Sequence, residues 1–223
     1  MTEMTFTVPG WSDWLKKSSF VAGKIGVVQE ENVRDYFGRV HAATEALLRQ
    51  ILFVGFRLNR ARYEDANNWL YHNDVTPDRQ KFPALFNILY LRQGMKWDEV
   101  IQSQPGLNEV WDLWLDYAKV IRNHIQHGIR NHTDSALLNA TLIDKALLMS
   151  LDAALIPVIG GSIAGALTGL SPRLPKGASG LDLTKLAGFK KPGKRPTPAT
   201  DVLQKMSVIA LFEATSVKDK NEN

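Results

Sequence analysis

Apolar residues recur at three- and four-residue spacings through most of the first 155 positions, and this periodicity constrains the fold more than any other feature. The clearest run extends from 32 to about 60, where His41, Glu45, Leu48, Leu52 and Phe56 fall on one stripe. Such spacings place side chains on one face of an α-helix. Because no alternating apolar and polar run is long enough to build a sheet, we predict an all-α fold.

Further helices are predicted over 83–93, 96–104, 107–127 and from 133 to about 155. Gly128 is placed to end the helix at 127 in a left-handed conformation, and Thr133 to cap the next one. Pro157 is expected to kink or end that last helix, because proline lacks an amide hydrogen. Together these helices predict an antiparallel bundle of four to five, after an irregular N-terminal segment.

Basic residues concentrate in one short segment. Residues 171–196 carry seven Lys or Arg and one Asp, with four prolines and four glycines. This composition is typical of a flexible linker or arm, which either attracts phosphate groups or is merely solvated. We therefore divide the chain into an N-terminal segment (1–31), a helical domain (32–170), a basic linker (171–196) and a C-terminal tail (197–223) with a short helix near 201–214.

The composition and the N-terminal sequence limit the kinds of site and the cellular location that we expect for this protein. The chain has no cysteine, which excludes disulfides, thiol nucleophiles and cysteine-ligated metal sites. Its N-terminus has neither a basic region nor a continuous apolar run, so we expect no signal peptide and a cytoplasmic location. Residues 153–170 are uncharged and reach the lower length limit for a membrane span, but proline and glycines interrupt them. We expect a packed bundle helix there, the alternative being a membrane-active effector.

The stretch from Ile121 to Gly128 carries the most specific pattern in the chain. Arg122 is followed directly by Asn123, and His127 comes five residues after the arginine. These residues lie at the end of the long predicted helix 107–127. A second arginine and histidine pair, at positions 34 and 41, lies instead at the start of the first long helix and has an aspartate after the arginine.

Helix geometry predicts where these side chains point. At 100° per residue, Arg122, Asn123, Gln126 and His127 lie on the arc opposite the apolar stripe of their helix. Arg122 and His127 are separated by 140° around the helix, so the two side chains of one chain do not easily contact the same phosphate. A homodimer is therefore necessary if both residues are to act on one phosphate. A two-fold pairing of this helix with its copy would bring both residues of each chain into one cleft.

This arrangement resembles the motif of HEPN-domain proteins, over about 32–155. The family is all-α, and many members are metal-independent endoribonucleases built as dimers. The resemblance implies that RNA is cleaved by attack of its own 2′-hydroxyl, with no cofactor or metal. His127 would be the acid or base, Arg122 would hold the scissile phosphate and Asn123 would orient either one. It further suggests a toxin or antiphage effector, with a regulatory or antitoxin protein partner.

Glu45 is a fourth candidate, because a carboxylate on an apolar stripe is costly unless it is paired or faces a cleft. It either positions Arg122 or His127, or pairs locally with His41 or Arg49. The family's toxins carry a tyrosine two residues after the motif histidine, whereas Ile129 stands here, so control by modification of that tyrosine is not expected. A non-catalytic HEPN-like helical module in a larger assembly is the alternative function.

Overall fold

The computed structural model describes residues 8–27, 32–59, 61–73 and 77–165. All regular secondary structure in these ranges is helical, which confirms the predicted all-α fold. The predicted linker at 171–196 and the tail helix near 201–214 lie outside the described residues. Within the described part of the chain, no helix combines the length and the apolar character needed to span a bilayer.

Nine α-helices, one 3-10 turn and one π-helical turn make up the described regular structure. The helices are α1 (Trp11–Lys17), α2 (Ser19–Ile25), α3 (Val33–Leu58), α4 (Tyr63–Asn73), α5 (Lys81–Leu89), α6 (Trp97–Gln102), α7 (Leu107–Leu113), α8 (Lys119–Gln126) and α9 (Asp134–Ile159), with a 3-10 turn at Leu91–Gln93 and a π-helical turn at Trp114–Ala118. The chain divides into two compact units. One comprises the described residues of Met1–Leu48 and Asp98–Gly169, the other those of Arg49–Trp97.

In the first unit, α9 packs against the helix that carries the motif. That helix runs without interruption from α7 through the π-helical turn into α8, as the prediction for 107–127 required. The π-helical turn itself was not predicted. It buries Trp114 completely and Leu115 almost completely, and both belong to the core that α9 covers with Leu147, Leu148 and Leu151.

In its described part, residues 8–27, the N-terminal segment is mainly helical, so the prediction of an irregular segment was wrong there. Two seven-residue helices, α1 and α2, bury Trp11, Val21 and Ile25. The Phe20 amide donates to the Ala164 carbonyl at 3.0 Å, which attaches α2 to the chain beyond α9. Helices this short are unstable alone and show little periodicity, so tertiary contacts form them.

Both ends of α9 have identifiable caps, and the N-terminal one was predicted. The Thr133 hydroxyl accepts a hydrogen bond from the Ala136 amide at 3.3 Å, as predicted for a helix N-terminus. At the other end the helix continues past the predicted boundary near 155, with Pro157 inside its last turn, and Gly160 stops it at φ +75°. A proline is tolerated there because only one helical hydrogen bond is lost.

The second unit is centred on the C-terminal half of α3 and on α5. Gly55 allows close packing of these helices, since a Cβ added to it would lie 2.8 Å from Cβ of Leu89. The Tyr90 hydroxyl donates to the Ile51 carbonyl at 2.7 Å, and the ring of Trp69 in α4 contacts that of Phe56 at a tilt, with centroids 5.0 Å apart. The sequence predictions for 83–93 and 96–104 match α5 with the 3-10 turn and α6, whereas α4 was missed.

Candidate functional site

A cavity of about 270 Å³ opens between α3 and α8 in the first unit. Its polar lining consists of Arg34, His41 and Glu45 from α3 and Arg122 and Gln126 from α8. Its apolar lining consists of Phe37, Gly38, Ala42 and Ile125. Two of the four predicted site residues, Glu45 and Arg122, therefore border one cavity within a single chain.

Arg122 is held by contacts on two sides. Its Nη2 lies 3.2 Å from Oε2 of Glu45, and its Nη1 donates to Oδ1 of Asn123 at 3.2 Å. The side chains of Arg122 and Glu45 are 34% and 26% exposed, so water screens this ion pair only in part. Because both ends of the guanidinium are already held, Arg122 loses less conformational entropy when a ligand binds to it. Both interpretations of Glu45 therefore have a contact in the structure, the ion pair with Arg122 and a longer local contact of 3.8 Å with Nε2 of His41.

His41 forms a buried pair with Asp144 of α9. Its ring is 1% exposed, and Asp144 is fully buried. The imidazole Nδ1 donates to Oδ2 of Asp144 at 3.1 Å, since a carboxylate can only accept. Oδ1 of Asp144 accepts from the indole Nε1 of Trp114 at 2.7 Å, and that indole stacks on the His41 ring at 5.4 Å. The carboxylate thus fixes both the orientation and the tautomer of the imidazole.

Opposing effects act on the protonation of His41. Burial is the largest, and it opposes the charged ring, as does the charge of Arg122. The charge and hydrogen bond of Asp144, together with the charge of Glu45, outweigh them and raise the pKa of His41 above its ordinary value of 6.5. The protonated imidazole is therefore more favoured than in a histidine free in water.

The second ring nitrogen of His41 lacks a hydrogen-bond partner. Nε2 is buried and lies 3.8 Å from Oε1 of Glu45, too far for a hydrogen bond. Because Nδ1 is taken by Asp144, only Nε2 remains for a group in the cavity. In the protonated ring Nε2 carries a hydrogen, and a buried donor without a partner costs free energy, so this form of His41 favours an acceptor that comes from outside the chain.

His127 lies apart from this cavity. It is exposed and follows the last residue of α8, where its amide bonds to the Asn123 carbonyl at 3.0 Å. Gly128, at φ +65°, donates to the Ile125 carbonyl at 3.3 Å and completes a Schellman-type end. This confirms the predicted role of the glycine.

The helical-wheel prediction for the motif is correct only in part. Gln126 and His127 are exposed as expected, but Arg122 lies against α3 instead of projecting away from the core. Arg122 lies at the border of the predicted arc, next to the buried Ile121, and Glu45 of α3 contacts it on that side. Of the apolar stripe predicted for this helix, Trp114 and Ile121 are buried, whereas Val110, Tyr117 and Ile125 are half-buried.

His124 and His132 form a separate cluster beyond the end of α8. Their rings stack at 5.3 Å, and Nδ1 of His124 lies 3.2 Å from Nε2 of His132. Burial and the nearby charges of His124 and Arg130 lower the pKa of His132. His124 is half-buried in this stack. In the described ranges no three His, Cys, Asp or Glu side chains are grouped closely enough to hold a metal ion.

Asp144 was not among the residues predicted from the sequence, and His41 was noted only as a member of the second arginine and histidine pair and as a local partner for Glu45. For each residue the sequence contained one indication of a buried polar contact. His41 lies on the same stripe as Glu45, and Asp144 interrupts an apolar stretch of α9 that reads Leu-Ile-Asp-Lys-Ala-Leu. A charged residue in such a stretch requires a buried partner.

Compared with protein-family models, with curated proteins and with solved structures, the chain has no significant match.

Proposed function

We propose that the chain is a metal-independent endoribonuclease that cleaves RNA through attack of the 2′-hydroxyl on the adjacent phosphorus. The observation that carries the proposal is the position of Arg122, which the Glu45 carboxylate holds at the edge of the cavity. A fixed guanidinium presents two parallel donors, and these match the oxygens of a phosphodiester. The motif around Arg122 resembles that of HEPN nucleases, and the all-α fold agrees with this family.

The reaction requires two kinds of group. Negative charge grows on the phosphorus oxygens in the transition state, and Arg122 would neutralise it. A proton must leave the 2′-hydroxyl and another must reach the departing 5′ oxygen, which is acid and base work for an imidazole near neutral pH. His127 is our candidate for that work, with Asn123 orienting Arg122 through their hydrogen bond.

In one chain, His127 is exposed and is not part of the cavity lining. The proposal therefore includes a homodimer in which α8 meets its copy, so that His127 of the partner subunit completes the cleft around Arg122. The role we propose in cells, as a toxin or antiphage effector under a protein partner's control, rests on the family resemblance.

Incubation of the purified full-length chain with total RNA in EDTA tests the proposal. The wild type should leave 2′,3′-cyclic phosphate ends, and DNA of the same sequence should stay intact because it lacks the 2′-hydroxyl. Arg122→Ala and His127→Ala should each slow cleavage by about a hundredfold or more, as expected for loss of a transition-state or acid–base group.

Arg130→Ala is the matched control, since Arg130 is an exposed arginine just after the same helix. It should cleave like the wild type. Equal cleavage by the wild type and by both site variants would rule out the assigned residues. A wild type that leaves RNA intact would instead support the alternative of a non-catalytic helical interaction module.

A further inference from the structure

The cavity beside α3 contains more positive charge than the proposed nuclease residues account for. Arg34 is exposed, lines the cavity and makes no hydrogen bond or ion pair with any residue of the described ranges. Arg122 is paired with Glu45, and His41 is paired with Asp144 behind it. Because Glu45 is paired with Arg122, Arg34 is the arginine of the lining that has no carboxylate partner among the described residues.

Donors from two helices converge on this cavity. Arg34 and His41 belong to α3, and Arg122 belongs to α8. Nε2 of His41 is a buried polar atom that lacks a hydrogen-bond partner, and it is held on the cavity side because Asp144 takes Nδ1. An anion with several oxygens is the kind of ligand that can accept hydrogen bonds from all three side chains at once.

We propose that this cavity is a phosphate-binding site, in which Arg34 and Arg122 neutralise the anion and Nε2 of His41 donates a hydrogen bond to it. The volume of about 270 Å³ lies just under the range of about 300–1,000 Å³ typical of pockets for whole small molecules. It therefore suits the phosphate end of a larger ligand, with the remainder outside the cavity. A phosphate within a nucleic-acid strand or at the end of a nucleotide has this form.

Glu45 occupies the position of a competing anion. Its Oε2 lies 3.2 Å from Arg122 and its Oε1 3.8 Å from Nε2 of His41. A bound phosphate would take over both of these contacts, and the Glu45 carboxylate would repel it. Phosphate affinity is thus set by the balance between two arginines and one glutamate, which distinguishes this site from non-specific attraction to a basic surface.

Phosphate binding at this cavity does not require that the chain cleave RNA, so it extends beyond the proposed function. It adds two residues, Arg34 and His41, that the nuclease proposal does not use. A chain that binds phosphate here and leaves RNA intact would contradict only the nuclease. A chain that cleaves RNA while phosphate leaves His41 unaffected would contradict only this site.

Calorimetric titration of the full-length chain with inorganic phosphate and with adenosine 3′-monophosphate measures affinity. Nitrogen-15 spectra of the imidazoles report contact with His41, whose signals are assigned by their loss in His41→Gln. Both ligands should bind and should shift the Nε2 signal of His41. Tighter binding of the nucleotide would identify a phosphate carried on a nucleotide or strand as the ligand, and equal binding would identify the phosphate group alone.

Three variants separate the site from general charge effects. Arg34→Ala should weaken phosphate binding about tenfold, the loss expected for one charged hydrogen-bond donor. Glu45→Gln should strengthen it severalfold, because the competing negative charge is gone. Arg39→Ala is the matched control, since Arg39 is another exposed arginine of α3 but is not part of the cavity lining, and it should bind like the wild type.

These variants keep the test independent of folding. Arg34 and Arg39 are exposed, so neither truncation opens the core. Equal losses in Arg34→Ala and Arg39→Ala would overturn the proposal, because they would indicate attraction to the whole helix surface. Weaker binding by Glu45→Gln, or phosphate that leaves the Nε2 signal unmoved, would overturn it as well.

Discussion

At the scale of single residues, the buried pair of His41 and Asp144 is the least expected feature. The two residues are 103 positions apart in sequence, and their pair is enclosed by Phe37 and Trp114. Burying both charges is costly unless each finds partners of good geometry. Asp144 has two such partners, whereas His41 has one and retains an open Nε2. An incomplete network of this kind is expected where a ligand supplies the last contact.

The raised pKa of His41 predicts that stability depends on pH. In the unfolded chain the ring has its ordinary pKa of about 6.5, and in the folded chain Asp144 and Glu45 raise it against burial and Arg122. Protonation therefore favours folding. The stabilisation is complete below about pH 6.5 and is lost as pH rises through the folded pKa. Urea denaturation should show that the free energy of unfolding falls between pH 6 and pH 9.

Substitution of the ring identifies the source of this dependence. His41→Gln should flatten the fall in unfolding free energy over that pH range, because the titrating group has been removed. His127→Gln, which changes an exposed ring after α8, should retain the wild-type dependence. An equal slope in the wild type and in His41→Gln would contradict the role assigned to this pair.

At the scale of elements, helix periodicity predicted the long segments and failed on the short ones. The prediction for 32–60 matches α3 within two residues, because twenty-six residues of amphipathic spacing leave little choice. The seven-residue helices α1 and α2 were missed, since their stability depends on the buried Trp11, Val21 and Ile25. The π-helical turn at Trp114–Ala118 was missed too. Such a turn inserts one extra residue into the helix, and apolar residues spaced three or four apart do not show where this happens.

Close packing within the second unit makes a further prediction. A methyl group added at Gly55 of α3 would lie 2.8 Å from Cβ of Leu89 and 2.9 Å from Cε2 of Tyr90. Gly55→Ala should therefore lower the free energy of unfolding by about 1–3 kcal/mol, the usual cost of overpacking a core. The Tyr90 ring cannot easily yield, since its hydroxyl is bonded to the Ile51 carbonyl at 2.7 Å.

Gly38→Ala is the control on the same helix. No atom outside the local helix lies within 4 Å of a Cβ added at Gly38, so only the helix propensity changes. That variant should gain up to about 1 kcal/mol, because glycine is unfavourable inside a helix. Denaturant midpoints that move in the same direction for both variants would contradict the close approach inferred at Gly55.

At the scale of the whole molecule, spacing along the sequence identifies a motif but not its surroundings. Arg122, Asn123 and His127 were selected because they share one helix, and Glu45 because a carboxylate on an apolar stripe needs a partner. The contribution of His41 and Asp144 depends on how α3, α8 and α9 pack together, which local spacing does not encode. The exposed position of His127, by contrast, was predicted from its place on the helix, and it leaves the proposed reaction dependent on a second copy.

A dimer that shares its active sites makes a prediction that a monomer cannot satisfy. The full-length chain should sediment at twice its 25.0 kDa mass. Ile129, which is 67% exposed just after α8, is a suitable contact for the second copy, so Ile129→Glu should yield monomers and abolish RNA cleavage. Val27→Glu is the control, because Val27 is 99% exposed but belongs to the chain before α3, and it should remain dimeric and active.

Mixing two inactive variants tests which chain supplies each group. In a two-fold dimer whose sites combine Arg122 of one copy with His127 of the other, a heterodimer of Arg122→Ala and His127→Ala keeps one intact site. Equal amounts of the two, unfolded together and refolded, should regain about a quarter of the wild-type rate of RNA cleavage, since half of the dimers are mixed and each has one working site. If both groups came from one chain, the mixture would stay as inactive as each variant alone.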